Sequence, residues 1–256
     1  MLFWYGVLFI SYLLVMFIIT HYKKDISIGN FTWGGGVMLL TVLSFLHSAY
    51  LARHIARHIL ITTLILTWGL RLSFFVWLRY KKGADPRYVT WQDRTGPLAF
   101  LFALFWIFIL NGVYAVVMST PSLVVNSSFA AGLTLLDLLG VIVWLIGFYF
   151  EVVGDYQLFS FTRKPKNYGQ IMDKGLWRYT RHPNYFGEIC MWWGIYFIAL
   201  SVEYGWMTII APLSITILLV FFTGIPMNEK VFEDNKQYQA YKKKTSALIP
   251  WFPKES

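Results

Sequence analysis

The sequence predicts an all-α membrane protein: a bundle of about seven transmembrane helices, with a cytoplasmic cap made from loops and the C-terminal tail. Three observations predict it. Hydrophobic residues make up 57% of the 256 residues and charged ones only 14%, which excludes an ordinary soluble domain. Apolar stretches of roughly 18 to 22 residues, each long enough to cross a bilayer, recur along the chain. Lys and Arg gather in the short loops between those stretches.

Taken in order, the spans fall near 3–20, 33–51, 58–78, 98–118, 130–150, 185–202 and 206–225. The first lacks a charged n-region and a small-residue cleavage site, so it reads as a retained helix and not a signal peptide. Arg79, Lys81, Lys82, Arg87 and Arg94 follow the third span; Arg163, Lys164, Lys166, Lys174, Arg178 and Arg181 follow the fifth. The loop from Ser119 to Ser128 and the turn after Ser201 carry neither Lys nor Arg. The positive-inside rule then makes the basic loops and the Lys-rich tail cytoplasmic and the N-terminus non-cytoplasmic, with Arg53 and Arg57 the dissent. The net charge of +9 reports this topology and not a nucleic-acid partner. The partners to expect are membrane lipids and an apolar substrate. No linker or fixed-period repeat divides the chain, which reads as one membrane domain, 1–256. The single cysteine, Cys190, excludes a disulfide framework, and no metal site is expected.

The run from Gly175 to Glu188 carries the strongest local signal. Pro183 suits the first turn of a helix, because its missing N–H is one the helix leaves unpaired anyway. The amide groups of Asn184, Tyr185 and Phe186 would then lie beside Arg181 and His182, an arrangement suited to an anion. Gly187 leaves room for a ligand or a second backbone. Glu188 stands one turn into a membrane helix, where an ionised group is costly. An alternative is a cationic anchor holding the helix end at the headgroups.

Three further features bear on chemistry. Glu151 and Asp155, four residues apart, share a helix face, and Asp137 lies on the same stripe about 21 Å along it. This stripe should face the bundle interior or a wet cavity, as ligand groups or as a structural ion pair or cap. Arg71 lies about two turns inside the third span and needs a partner, Asp137 or an anion; Arg79, at its edge, can snorkel. In the tail, Tyr238 and Tyr241 precede Lys242-Lys243-Lys244 and an aromatic Pro-Trp-Phe-Pro end. They belong either to a surface helix with a polybasic lipid contact, or to a site where rings stack on a base.

The order Glu151-x-x-x-Asp155-x-Gln157, then Gly175-Leu-Trp-x-Tyr-x-Arg-His-Pro-Asn-Tyr-Phe-Gly-Glu188, then Tyr238-x-x-Tyr241 and Thr245-Ser-x-x-Ile-Pro-Trp251, resembles the steroid 5-alpha-reductase superfamily. Its bacterial branch of uncharacterised membrane reductase-like proteins is the nearest in pattern, with Arg71-Leu-Ser and Asp85-Pro86-Arg87-Tyr88 also fitting. Sterol reductases and isoprenylcysteine carboxyl methyltransferases carry related strings.

The resemblance implies about seven helices in a bacterial inner membrane, NADPH as cofactor, and hydride transfer to the carbon–carbon double bond of an enone lipid such as a 3-oxo-4-ene steroid. It carries cofactor roles onto Asp155, Asn184 and Glu188, and phosphate contacts onto Arg163 and Lys164. Arg79, Glu151, Tyr179, Arg181, His182, Tyr185, Tyr238 and Tyr241 complete the cofactor set. Trp68 and Arg71 are substrate-side candidates. The family's glutamate–tyrosine pair for the substrate carbonyl has no counterpart: the first three spans contain no glutamate, and Trp68 falls near the tyrosine's place. No catalytic acid is assigned. An S-adenosylmethionine-dependent methyltransferase and a non-catalytic lipid-binding protein are the rival readings.

Overall fold

A computed structural model describes residues 2–24, 29–51, 56–79, 92–129 and 132–254. The elements are α1 (Leu2–Lys23), α2 (Gly29–Tyr50), α3 (Ala56–Arg79), α4 (Pro97–Ser127), α5 (Leu135–Thr162), α6 (Pro183–Ala199), α7 (Ile210–Ile217), α8 (Ile225–Lys230) and α9 (Lys236–Lys244). Among the described residues there is no strand, only an isolated parallel bridge between Thr180 and Ser246. Six helical stretches are long and apolar enough to cross a membrane, the last running from Gly205 to Lys230. The chain is an integral membrane protein. The remaining apolar helix, α6, has 17 residues, or roughly 25 Å.

Two expected boundaries move. The loop expected at Ser119–Ser128 is helical as far as Ser127, with Pro121 inside α4. Pro121 cannot donate to the carbonyl of Val117, and the Thr120 hydroxyl takes that carbonyl instead at 2.7 Å. Ser119 and Ser122 likewise bond back to Ala115 and Ser119, so a polar run stays helical in an apolar setting. Asn126 is accordingly buried, its amide donating to Ser44 at 2.9 Å. The fifth span runs to Thr162; at about 42 Å it outruns the ~30 Å hydrocarbon core, so an end of it stands clear. Asp137 consequently belongs to the first turn of α5, where its carboxylate accepts from the Thr134 backbone N–H at 2.6 Å and hydroxyl at 2.9 Å. Its role there is a helix cap.

The described helices form two compact units. The first, Met1–Leu133 with Val202–Thr208, contains α1 to α4. Phe100, Leu104 and Phe108 of α4 are buried against Met16 and Phe17 of α1. Trp68 of α3 is fully buried beside Trp33, which also meets Tyr114. A polar seam that the sequence reading missed joins Thr41 to Ser122 at 2.8 Å and Ser48 to His58 at 2.6 Å.

The second unit, Thr134–Ser201 with Ile209–Ser256, is built on α5 and α6. Gly140, Gly147 and Gly154 recur every seventh residue on α5, and Gly187 and Gly194 do so on α6. A Cβ added at Gly147 would lie 2.5 Å from the Gly187 carbonyl oxygen; one at Gly140 would lie 2.6 Å from that of Gly194. Gly154 faces Pro183 instead, so the helices run antiparallel with their backbones in contact. The room left by Gly187 is filled by a second backbone. Lipid tails offer helices no hydrophobic reason to associate, so close packing and weak Cα–H···O contacts must hold such a pair.

This packing predicts that Gly147→Ala lowers the Tm in detergent by several degrees, a loss of about 1–3 kcal/mol from overpacking. Gly6→Ala, with nothing near the added carbon, should not lower it. Equal Tm values for the two variants would mean that the helix pair yields freely.

Candidate functional site

Close approach of the two helices sets short polar side chains against each other. Asn184, in the first turn of α6, donates its amide to Asp155 of α5 at 3.2 Å. Its Oδ1 is buried with no hydrogen-bond partner among the described residues. Glu151 and Asp155 are both buried, and Glu151 lies against Gly187. Glu188, also buried, accepts from the indole of Trp192 at 2.9 Å. Three carboxylates and one carboxamide therefore share the end of a glycine-packed helix pair, offering acceptors for hydroxyl or amide donors.

The segment leading into α6 is tied down from two sides. On the α5 side, the backbone N–H of Leu176 donates to Gln157 Oε1 at 3.0 Å, and the Trp177 indole donates to the Gly154 carbonyl at 3.0 Å. Gly175 makes this turn at φ +62°, and a side chain there would strike the Gln157 amide at 2.5 Å. On the other side lies the tail. Arg181 N–H donates to Ser246, Trp251 N–H to Tyr179, the Thr180 hydroxyl to Leu248, and the Tyr241 hydroxyl to Trp177.

A half-buried carboxylate, Glu229, gathers the basic groups of this clasp. Arg181 reaches it at 2.7 Å, Lys242 at 2.6 Å, and His182 Nε2 lies 3.5 Å away. Arg181 Nη1 also donates to the carbonyls of Lys242 and Thr245, at 3.1 and 2.5 Å. Sequence reading counts Glu229 in the tail and assigns it no role. Its signal was an acid at the end of the last apolar run, immediately before a Lys-rich tail.

The structure brings some expected site residues together and separates others. Asp155, Glu151, Asn184 and Glu188 form the cluster above. Of the three amides expected at the mouth of α6, that of Phe186 is already bonded to the His182 carbonyl at 3.0 Å. Tyr185 stacks on His182, with ring centroids 5.2 Å apart, and its hydroxyl accepts from Asn228 at 2.6 Å. Arg163 and Lys164 are exposed just past α5, with the Arg163 guanidinium over Phe159 at 4.7 Å. Arg181, Tyr238 and Tyr241 are turned inward. Tyr238 is buried and stacked on Phe232 at 5.0 Å, while Tyr179 meets Phe252 edge-on. In the first unit, Arg71 lies over Phe75 at 5.1 Å. The side chain of Arg79, together with Arg53 and the segment 80–91, lies outside the described residues.

Burial holds the His182 imidazole well below its usual value, at about 4; Glu229 pulls it upward and Arg181 pushes it down. Burial likewise pushes the Tyr238 hydroxyl up to about 12. Because the folded His182 refuses a proton that the unfolded chain accepts, its contribution to stability is full above about pH 6.5. It is lost as pH falls towards about 4. The Tm of the detergent-solubilised protein should therefore fall across this window, and His182→Gln should flatten the slope. A wild-type slope in that variant would remove His182 from the acid response.

Comparison with known proteins bears on what such a cluster serves. A stretch of 115 residues is 30% identical to 3-oxo-5-alpha-steroid 4-dehydrogenase 1 of Bos taurus, covering 44% of this chain. The chain spans 41% of the length of that curated relative. No solved structure matches. A family model described as protein of unknown function (DUF1295) matches residues 16–245. The chain therefore belongs to DUF1295, and its likeness to a steroid dehydrogenase is consistent with the steroid 5-alpha-reductase superfamily that its motifs resemble.

Proposed function

We propose that this protein is a membrane reductase that uses NADPH to reduce the carbon–carbon double bond of an apolar enone, a steroid or a related lipid. The observation that carries the reading is the Asp155–Asn184 pair, flanked by Glu151 and Glu188, with the Asn184 carbonyl oxygen buried and without a partner among the described residues. A dinucleotide carries hydroxyl and carboxamide donors, and the Asn184 carbonyl oxygen is an acceptor without a donor among the described residues. The likeness to the bovine 3-oxo-5-alpha-steroid 4-dehydrogenase 1 points the same way.

NADPH, when bound, supplies the hydride. Asn184 and Asp155 would orient the cofactor's polar groups, and Glu151 and Glu188 would accept from its hydroxyls. Arg163 and Lys164, exposed past the end of α5, would meet the phosphates. Tyr179 and Tyr185, both half-buried, would contribute to the same ligand's surroundings. Apolar helix walls would keep water from the reacting carbon; Trp68 and Arg71, expected to meet the substrate, belong to the first unit. The basic loops and tail would face the cytosol, where the cofactor is available.

Titration of the purified protein with NADPH, and separately with S-adenosylmethionine, each followed by thermal shift, tests this reading. NADPH should raise the Tm and S-adenosylmethionine should not. Asn184→Ala should weaken NADPH binding about tenfold, or ~1.4 kcal/mol, without unfolding the protein. Stabilisation by S-adenosylmethionine alone, or equal NADPH affinity in the variant, would overturn the assignment.

A further inference from the structure

We infer that the consecutive pair Asn228–Glu229 on α8 positions Asn184 and thereby sets how the α5–α6 site is presented; its role in cofactor binding rests on the reading given above. Arg181, His182 and Tyr185 bracket Asn184 in the chain, and this pair contacts all three. Glu229 Oε1 accepts from Arg181 Nε at 2.8 Å, is 2.7 Å from Nη2, and lies 3.5 Å from His182 Nε2. Asn228 Nδ2 donates to the Tyr185 hydroxyl at 2.6 Å. The His182 and Tyr185 rings stack within 6° of parallel, so the two grips join across the first turn of α6. Asn184 sits inside this bracket with its amide on Asp155.

The two oxygens of Glu229 have different neighbours. The inner one serves Arg181, whose side chain is only 8% exposed, while the outer one serves Lys242, which is 44% exposed. An exposed ion pair contributes little. Without that carboxylate the guanidinium keeps the Lys242 and Thr245 carbonyls at Nη1 but loses the partner of Nε and Nη2 and the charge that balances it, so it shifts towards another partner or water. That guanidinium belongs to a residue three positions before Asn184, so its displacement is transmitted to the start of α6. Asn228 is a second, uncharged hold on the same turn. Glu229 and Asn228 are thus positioning residues, acting on the site through Arg181, His182 and Tyr185.

The test compares Glu229→Gln, Asn228→Ala and Lys242→Met in the full chain in detergent, by amide hydrogen exchange and by NADPH titration well below each Tm. Glu229→Gln and Asn228→Ala should accelerate exchange in segment 183–188. Glu229→Gln should weaken NADPH binding to the folded protein about tenfold, and Lys242→Met should leave it within about twofold. Destabilisation alone would not change the Kd of the folded fraction. Faster exchange confined to 236–254, with 183–188 unchanged, would make Glu229 a tail anchor only and overturn the inference. Should the wild type fail to bind NADPH, the functional reading falls, and exchange at 183–188 decides the positioning role by itself.

Discussion

Contact between the backbones of α5 and α6 is the constraint on which the second unit rests. With hydrogen in place of a side chain at Gly140, Gly147, Gly187 and Gly194, the two helices approach until carbonyl oxygen meets Cα. In lipid this is a sound way to join helices, because packing and weak polar contacts must supply what the hydrophobic effect does not. The same approach has a chemical consequence. Asparagine and aspartate are short, and Asn184 reaches Asp155 because no bulk separates their helices.

Charged groups of this unit have protein partners. Asp137 caps the helix that bears it, Glu188 takes an indole one turn ahead, and Glu229 collects the cations Arg181 and Lys242 together with the neutral imidazole of His182. The tail is the largest such arrangement. It meets the segment before α6 through backbone hydrogen bonds, the isolated bridge at Thr180 and the ion pairs of Glu229. The start of α6 is consequently held by α5 on one side and by the tail on the other. A site of few polar groups gains from such support, since a side chain orients a ligand only as well as it is itself held.

Much of this was legible in the sequence. Pro183 marked the first residue of α6, the apolar runs located the long helices, and the spacing of Glu151 and Asp155 put them on one face of α5. Other features were hidden for identifiable reasons. The Ser-rich stretch after residue 118 looked like a loop because hydroxyls usually compete with helical hydrogen bonds; here they reinforce them. The seven-residue glycine spacing was visible but has meaning only when two helices carry it in register. Arg181 read as a ligand for an outside anion, and the structure gives it an internal one, Glu229, 48 residues further on.

Length and apolarity of the spans, the proline that starts α6, and the acids and cations available to a site are properties of the linear chain, because each depends on a residue and its near neighbours. Which polar groups meet was decided by tertiary structure alone. Whether a buried cation serves a ligand or its own fold depends on the distance to a carboxylate elsewhere in the chain, and only the packed helices and the returning tail set that distance.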